Sequence, residues 1–145
     1  MGEKYTHILV ALDFSDSDAS VLARGTQLAQ QNAASLTLVH VLEPTPLVPL
    51  DEIPPLEAVE LNELKERRAR ANLEALQEKI KPLEAQVRLE VGMPKHQMVR
   101  LAREVGADLI VIGSHGRHGI QLLLGSTANG VLHLAECDVL AVRVK

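Results

Sequence analysis

The chain has 145 residues and a formal net charge of -4, from 19 acidic and 15 basic side chains. No basic stripe stands out, which argues against binding to duplex DNA or RNA. With no Trp, one Phe and one Tyr, the sequence also lacks the aromatic residues on which single-stranded nucleic acid stacks. The length predicts one domain over residues 1–145, with an aliphatic core between helices and a sheet.

Cysteine usage indicates a reducing environment. Cys137 is the only cysteine, so no disulfide can form within the chain. We interpret it as a small, buried or half-buried residue rather than a reactive thiol. No signal peptide and no apolar run of membrane-spanning length is visible, so we expect a cytoplasmic protein without membrane contact.

The first part of the chain predicts a strand, a helix and a second strand. Residues 5–12 and 35–42 are rich enough in aliphatic side chains for buried strands. Between them, Ser15 followed by Asp18 has the spacing of a capping box, which predicts the start of a helix. The predicted apolar face of that helix consists of Ala19, Leu22, Thr26 and Ala29.

A proline-rich segment follows the second strand. Five of the seven prolines lie between residues 43 and 55, so we predict a surface flap at about residues 43–57. Residues 56–81 are rich in Glu, Ala, Leu, Arg and Lys, which predicts a long helix ended by Pro82.

The rest of the chain alternates between strands and helices. Val87 and Leu89 alternate with charged residues, as in a half-exposed edge strand. Pro94 and Gly106 mark the ends of a helix, and residues 109–112 predict a buried strand. A last helix over about residues 128–135 precedes a last strand. This order predicts a mostly parallel sheet with helices on both faces and right-handed crossovers.

A glycine-rich loop follows the strand of residues 109–112. Gly113 and Gly116 allow backbone N–H groups to approach a ligand closely. Gly125 and Ser126 precede a helix, whose start offers free N–H donors and the positive end of a dipole. We therefore predict a phosphate site here. Side chains that suit an anion lie in the same loop: His115, Arg117 and His118.

The loop after the first strand has the opposite character. Its residues 13–18 include three acids and no glycine, so it would repel phosphate. Asp13 suits a base amino group, a ribose hydroxyl or Mg²⁺ carried by a nucleotide. Ligands of open α/β sheets lie beyond the carboxyl ends of the strands, where the strand order reverses. Together the two loops predict a cleft that holds a nucleotide across the edge of the sheet.

Each of these features also has a simpler explanation. Asp13 could only cap the first helix, the two glycines after the strand could only permit a tight turn, and Gly125 with Ser126 could only begin a helix. His115 and His118 lack a third ligand and are poor evidence for a metal. No nucleophile elbow, Walker lysine or carboxylate pair points to catalysis. We therefore expect a binding protein, with at most slow, incidental ATP hydrolysis.

Five segments resemble the universal stress protein family of the UspA type, over essentially the whole chain. They are ILVALDFS (8–15), LVHV (38–41), ADLIVIGSHG (107–116), LGSTAN (124–129) and CDVLAVR (137–143). The resemblance implies an α/β, Rossmann-like fold: a five-stranded parallel sheet in the order 3-2-1-4-5, with helices on both faces. It also implies a role in stress response.

The resemblance assigns site residues as well. ATP-binding members carry the pattern G-x2-G-x9-G-[S/T], and this chain has eight residues instead of nine before Gly125. By match, Asp13 and Val41 would face the adenosine, and the glycines with Ser126 and Thr127 would face the phosphates. The complete candidate set is Ala11, Leu12, Asp13, Val41, Ile112, Gly113, His115, Gly116, Arg117, Gly125, Ser126 and Thr127. Asp13 would meet a metal only through nucleotide-bound Mg²⁺.

The resemblance further implies a homodimer through the last strand, from Val139 to Val144, whose edge would otherwise be exposed. Our first hypothesis is a dimeric stress-response protein that binds ATP or a related adenine nucleotide, with or without Mg²⁺, and acts as a switch on an unknown protein partner. The alternative is a dimeric interaction module that binds no nucleotide. A slow ATPase or nucleotidyl-transfer enzyme ranks third.

Overall fold

A computed structural model describes residues 4–43, 55–114 and 124–143. Strands and helices alternate along these residues, with one helix following each of the first four strands. The elements are β1 (His7–Ala11), α1 (Asp18–Asn32), β2 (Ser35–Leu42), α2 (Pro55–Lys79), β3 (Gln86–Val91), α3 (Pro94–Val105), β4 (Leu109–Gly113), α4 (Ser126–Leu134) and β5 (Asp138–Val142).

All five strands are parallel and lie in the order β3-β2-β1-β4-β5, which confirms the predicted fold. The central strand β1 pairs with β2 on one side and with β4 on the other, so the strand order reverses there. Ile8, Leu9 and Val10 of β1 are fully buried. The loops after β1 and β4 therefore leave the sheet next to each other, at the point where such sheets bind ligands.

The helices cover both faces of the sheet. On one face, α1 and α2 pack against alternate strand residues through side chains such as Val21 and Leu73. On the other face, α3 and α4 do the same through Leu101 and Val131. The period of two along the strands sends successive side chains into the two separate cores.

Helix α1 buries a partly different set of residues from the one predicted. Its buried positions include Val21 and Gly25, whereas Ala19, predicted to face the core, is exposed. A Cβ atom on Gly25 would lie 2.5 Å from Cγ2 of Val10. The missing side chain thus permits the contact, because a helix can approach a strand more closely where it has no Cβ.

Edge strand β3 carries a charge network, as its alternating pattern predicted for a half-exposed strand. The Arg88 guanidinium lies 2.7 Å from the Glu90 carboxylate and 3.3 Å from that of Glu104. Arg100 of α3 contacts the same two carboxylates. Charged side chains on an edge strand hinder pairing with another chain.

Helix α2 begins at Pro55, so the last residues of the segment predicted as a flap are helical. Residues 44–54 of that segment lie outside the described part of the chain. No helix in the described ranges combines the length and apolar character needed to cross a membrane.

Candidate functional site

A cleft of about 700 Å³ opens at the carboxyl-terminal edge of the sheet, a size typical of small-molecule sites. The ends of β1, β2 and β4 and the start of α4 all contribute to it. Nine of the twelve candidate residues line it: Ala11, Leu12, Asp13, Val41, Ile112, Gly113, Gly125, Ser126 and Thr127. The other three, His115, Gly116 and Arg117, lie outside the described residues, as does His118.

Asp13 forms the acidic side of the cleft without capping a helix. Its Oδ1 accepts hydrogen bonds from the N–H of Ser15, at 3.0 Å, and from the Ser15 hydroxyl. Helix α1 begins only at Asp18, so neither of these hydrogen bonds involves an N–H group of the helix. A carboxylate offers about four lone-pair positions, so Asp13 retains acceptor capacity for a ligand.

The predicted capping box between Ser15 and Asp18 is wrong. Ser17 is the N-cap residue of α1, and its side chain makes no capping hydrogen bond. The Asp18 carboxylate reaches past Ser15 and accepts the N–H groups of Asp13, at 3.0 Å, and Phe14, at 2.8 Å. Asp18 therefore serves the preceding loop rather than its own helix.

The Asp18 carboxylate is buried, with 6% of the residue exposed. Burial raises the pKa of Asp18 to about 6, the backbone hydrogen bond from Asp13 opposes this rise, and the negative charge of Asp13 adds to it. The carboxyl groups of Asp13 and Asp18 thus share one side of the cleft.

Phe14 adopts a left-handed backbone conformation, with φ of 61°, which is uncommon for a residue with a large side chain. Its ring stacks on the His40 imidazole, with centroids 3.9 Å apart. The Nδ1 atom of His40 lies 2.8 Å from the carbonyl oxygen of Leu12 and donates to it. His40 thus supports the loop and also lines the cleft.

The opposite side of the cleft is rich in hydrogen-bond donors. Helix α4 begins at Ser126, and its first backbone bond runs from the N–H of Asn129 to the carbonyl of Gly125. Three backbone N–H groups facing this side therefore have no partner among the described residues, namely those of Ser126, Thr127 and Ala128. The first N–H groups of a helix bind anions readily.

One predicted donor is already used within the protein. The N–H of Gly125 donates to the carbonyl of Ser114 at 2.6 Å, so it links the end of β4 to the start of α4. The Ser114 hydroxyl is buried and has no hydrogen-bond partner in the described part of the chain. Gly125 therefore shapes the cleft, while the donors come from the residues that follow it.

The residues that build both sides of the cleft fall within one known family pattern. A profile of the universal stress protein family matches residues 4–143. The chain belongs to the universal stress protein family. A curated relative, Universal stress protein A homolog 1 of Coxiella burnetii (strain RSA 493 / Nine Mile phase I), is 43% identical over 142 residues. The match covers 97% of this chain and 98% of the relative.

Solved universal stress proteins share the fold. UspA from Lactobacillus plantarum matches with a TM-score of 0.84 and 27% identity, over 98% of this chain and 100% of that one. A universal stress protein in complex with cAMP gives a TM-score of 0.72 at 27% identity, and the match covers 97% of this chain and 98% of that one. The universal stress protein from Archaeoglobus fulgidus in complex with dAMP gives a TM-score of 0.66 at 25% identity. That match covers 96% of this chain and 98% of the other.

In this universal stress protein, several cleft residues had no clear signal in the sequence. Lys65 reaches the cleft from α2, and Met98 from α3. Neither position is adjacent to a strand end, so only the path of the helix brings it there. His40 could have been found, because it lies two residues before the end of β2 at the same edge of the sheet.

The described residues of this family member give little indication of metal binding or of a reactive thiol. No group of three His, Cys, Asp or Glu side chains among them could hold a metal ion. Cys137 is half-buried, and burial raises the pKa of its thiol, with the negative charge of Asp138 adding to the effect. A raised thiol pKa keeps the less reactive, protonated form at neutral pH.

Proposed function

We propose that this universal stress protein binds ATP or a related adenine nucleotide in the cleft and acts as a dimeric, nucleotide-dependent switch in the stress response. One observation carries the proposal. An acidic loop and a helix N-terminus rich in N–H donors, more than 100 residues apart in the chain, line the same cleft.

The two sides of the cleft suit the two ends of a nucleotide. The N–H groups of Ser126 and Thr127 match a phosphate, because they have no acceptor among the described residues and lie at the positive end of a helix dipole. The Asp13 carboxylate matches a donor such as an amino group or a ribose hydroxyl. Mg²⁺ would arrive with the nucleotide and meet Asp13, since the described residues hold no metal-binding cluster of their own.

Two structural relatives support the class of ligand. The solved structures with cAMP and dAMP share an adenine base and a phosphate but differ in how the phosphate is attached. We extend this class to the present chain on the basis of its cleft.

The alternative, a dimeric interaction module without nucleotide, has its own support. The loop between β4 and α4 is one residue shorter than the ATP-binding pattern, and the Gly125 N–H is bonded to Ser114. Both features reduce the donors available to a long phosphate chain. A monophosphate needs fewer of them than a triphosphate.

The test is calorimetric titration of the purified protein with cAMP and with ATP plus Mg²⁺, using cGMP as the control for base recognition. We expect both adenine nucleotides to bind. Asp13→Asn should weaken binding by about tenfold or more, since a hydrogen bond to a charged group is worth roughly 1.5–3 kcal/mol.

The matched control is Asp16→Asn, which changes an exposed acid of the same loop and should leave affinity unchanged. Failure of every adenine nucleotide to bind at millimolar concentration would favour the interaction module. Equal weakening by both variants would mean that net charge, rather than contact with Asp13, attracts the ligand.

A further inference from the structure

Asp18 occupies an unusual position between two cavities. It lines the cleft and also the end of a groove of about 810 Å³ between α1 and α2, yet it is 94% buried, being 6% exposed. A buried carboxylate is costly unless its oxygens are satisfied. Both oxygens of Asp18 are satisfied, one by the N–H of Asp13 and the other by that of Phe14.

These two hydrogen bonds hold the part of the loop that contains Phe14, whose backbone conformation is unfavourable. Phe14 is held at φ of 61°, a conformation that persists only where surrounding contacts enforce it. Asp18 enforces it from α1, and His40 enforces it from β2 through the ring stack and the bond to Leu12. The neighbouring Asp13 therefore has its backbone fixed by Asp18 and its side chain fixed by Ser15.

We propose that Asp18 is the positioning residue of the cleft: its carboxylate fixes the backbone of Asp13 and Phe14, and so places the Asp13 carboxylate for an adenine ligand. The inference rests on the proposed function. It adds a residue that acts through Asp13 rather than by touching the ligand.

Both oxygens of Asp18 take part in positioning the loop. A carboxylate accepts both N–H groups, whereas an asparagine amide offers one oxygen acceptor and an NH₂ group that only donates. Asp18→Asn therefore leaves the N–H of Asp13 or of Phe14 without its acceptor. Loss of that hydrogen bond should loosen the backbone that carries the Asp13 carboxylate and weaken ligand binding.

Other charged or titratable groups surround the same two cavities and define the controls. They are Asp13 and Asp16 from the loop, His40 and Glu43 from the end of β2, and Lys65 and Lys79 from α2. All of them remain in an Asp18→Asn variant, so an effect of this variant belongs to Asp18.

The first experiment needs no nucleotide. Hydrogen exchange of the Asp13 and Phe14 backbone amides is followed by NMR at constant pH. In the wild-type protein and in Asp16→Asn we expect both amides to be protected, because the Asp18 carboxylate accepts both of them. In Asp18→Asn at least one of the two should exchange about tenfold faster or more. Equal exchange rates in all three proteins would overturn the inference.

The second experiment measures the cAMP affinity of the same three proteins. Wild-type protein and Asp16→Asn should bind cAMP equally well, and Asp18→Asn should bind it about tenfold more weakly or worse, since a hydrogen bond to a charged group is lost. An Asp18→Asn variant that binds cAMP as well as the wild-type protein overturns the positioning role and leaves the proposed function standing. If cAMP does not bind to the wild-type protein while the amides of Asp18→Asn lose protection, the proposed function fails and Asp18 still holds the loop.

Discussion

At the scale of single residues, Asp108 joins the starts of the two central strands. Its carboxylate accepts the N–H of Thr6, at 2.9 Å, and the N–H of His7, at 3.1 Å, as well as the Thr6 hydroxyl. Burial raises the pKa of Asp108, but these hydrogen bonds outweigh burial and hold the pKa below its usual value. The ionised form is therefore the one that stabilises the fold.

We predict that Asp108→Asn lowers the free energy of unfolding by about 1–3 kcal/mol at pH 7, because one backbone donor loses a charged partner. A group with a lowered pKa stabilises the fold above its unfolded pKa of roughly 3.9, and this contribution is lost as the pH falls through the lower folded value. The difference between variant and wild type should therefore shrink at acid pH.

Urea denaturation at pH 7 and pH 3 measures this difference. Glu84→Gln, at an exposed site outside the cleft, is the control and should match the wild-type protein at both pH values. A difference that stays constant with pH would show that packing, rather than the charge of Asp108, stabilises the strand starts.

At the scale of elements, the start of α4 offers a test that removes a single backbone donor. Ser126 is the first residue of the helix, where proline is well tolerated. The preceding Gly125 has ψ of 155°, which is the conformation favoured before proline. Ser126→Pro therefore deletes one N–H group with little effect on the helix.

We predict that Ser126→Pro weakens binding of cAMP and of ATP with Mg²⁺ by about tenfold or more, since the lost bond involves a charged phosphate. Ser126→Ala keeps the N–H group and is the matched control. Calorimetry measures both affinities, and thermal melting verifies that both variants fold. If the alanine variant is as weak as the proline variant, then the hydroxyl rather than the backbone would bind the phosphate.

The elements themselves were largely predictable from the sequence, because apolar periodicity reports burial directly. The bounds of β2 match the prediction, and α3 begins at Pro94 and ends before Gly106, as proline and glycine preferences indicated. Gly106 has φ of 71°, a conformation that favours glycine at the end of a helix.

Other features of the cleft depend on which groups form hydrogen bonds or pack together in the folded protein, and the sequence does not show these partners. The Ser15–Asp18 pair had the spacing of a capping box, but the buried Asp18 carboxylate binds two N–H groups of the preceding loop instead. The position of Lys65 depends on where α2 passes the end of β2. The close contact at Gly25 depends on its partner, Val10.

At the scale of the whole molecule, the two edges of the sheet differ. Edge strand β5 is half-buried at Val139, Leu140 and Ala141. The carbonyl of Val142 accepts the N–H of Ser114, so it faces β4. Because peptide groups alternate in direction along a strand, the N–H of Ala141 points away from β4 and is available to a second chain.

We predict that the protein is a dimer through β5 and that Ala141→Pro converts it to a monomer, because proline removes the outward N–H while leaving the bonds to β4 intact. Ala141→Ser keeps the N–H and should remain dimeric. Sedimentation equilibrium across a concentration series distinguishes the two states. A wild-type monomer, or a proline variant that still dimerises, would exclude this interface.

The Arg88–Glu90–Arg100–Glu104 network on β3 has a consequence for self-assembly. A sheet that could accept strands at both margins would be able to add copies without end and grow into fibres. Because charge protects the β3 edge, the predicted pairing through β5 would use the one sheet edge of the described residues that remains open. Growth by strand addition would then stop after one partner has joined.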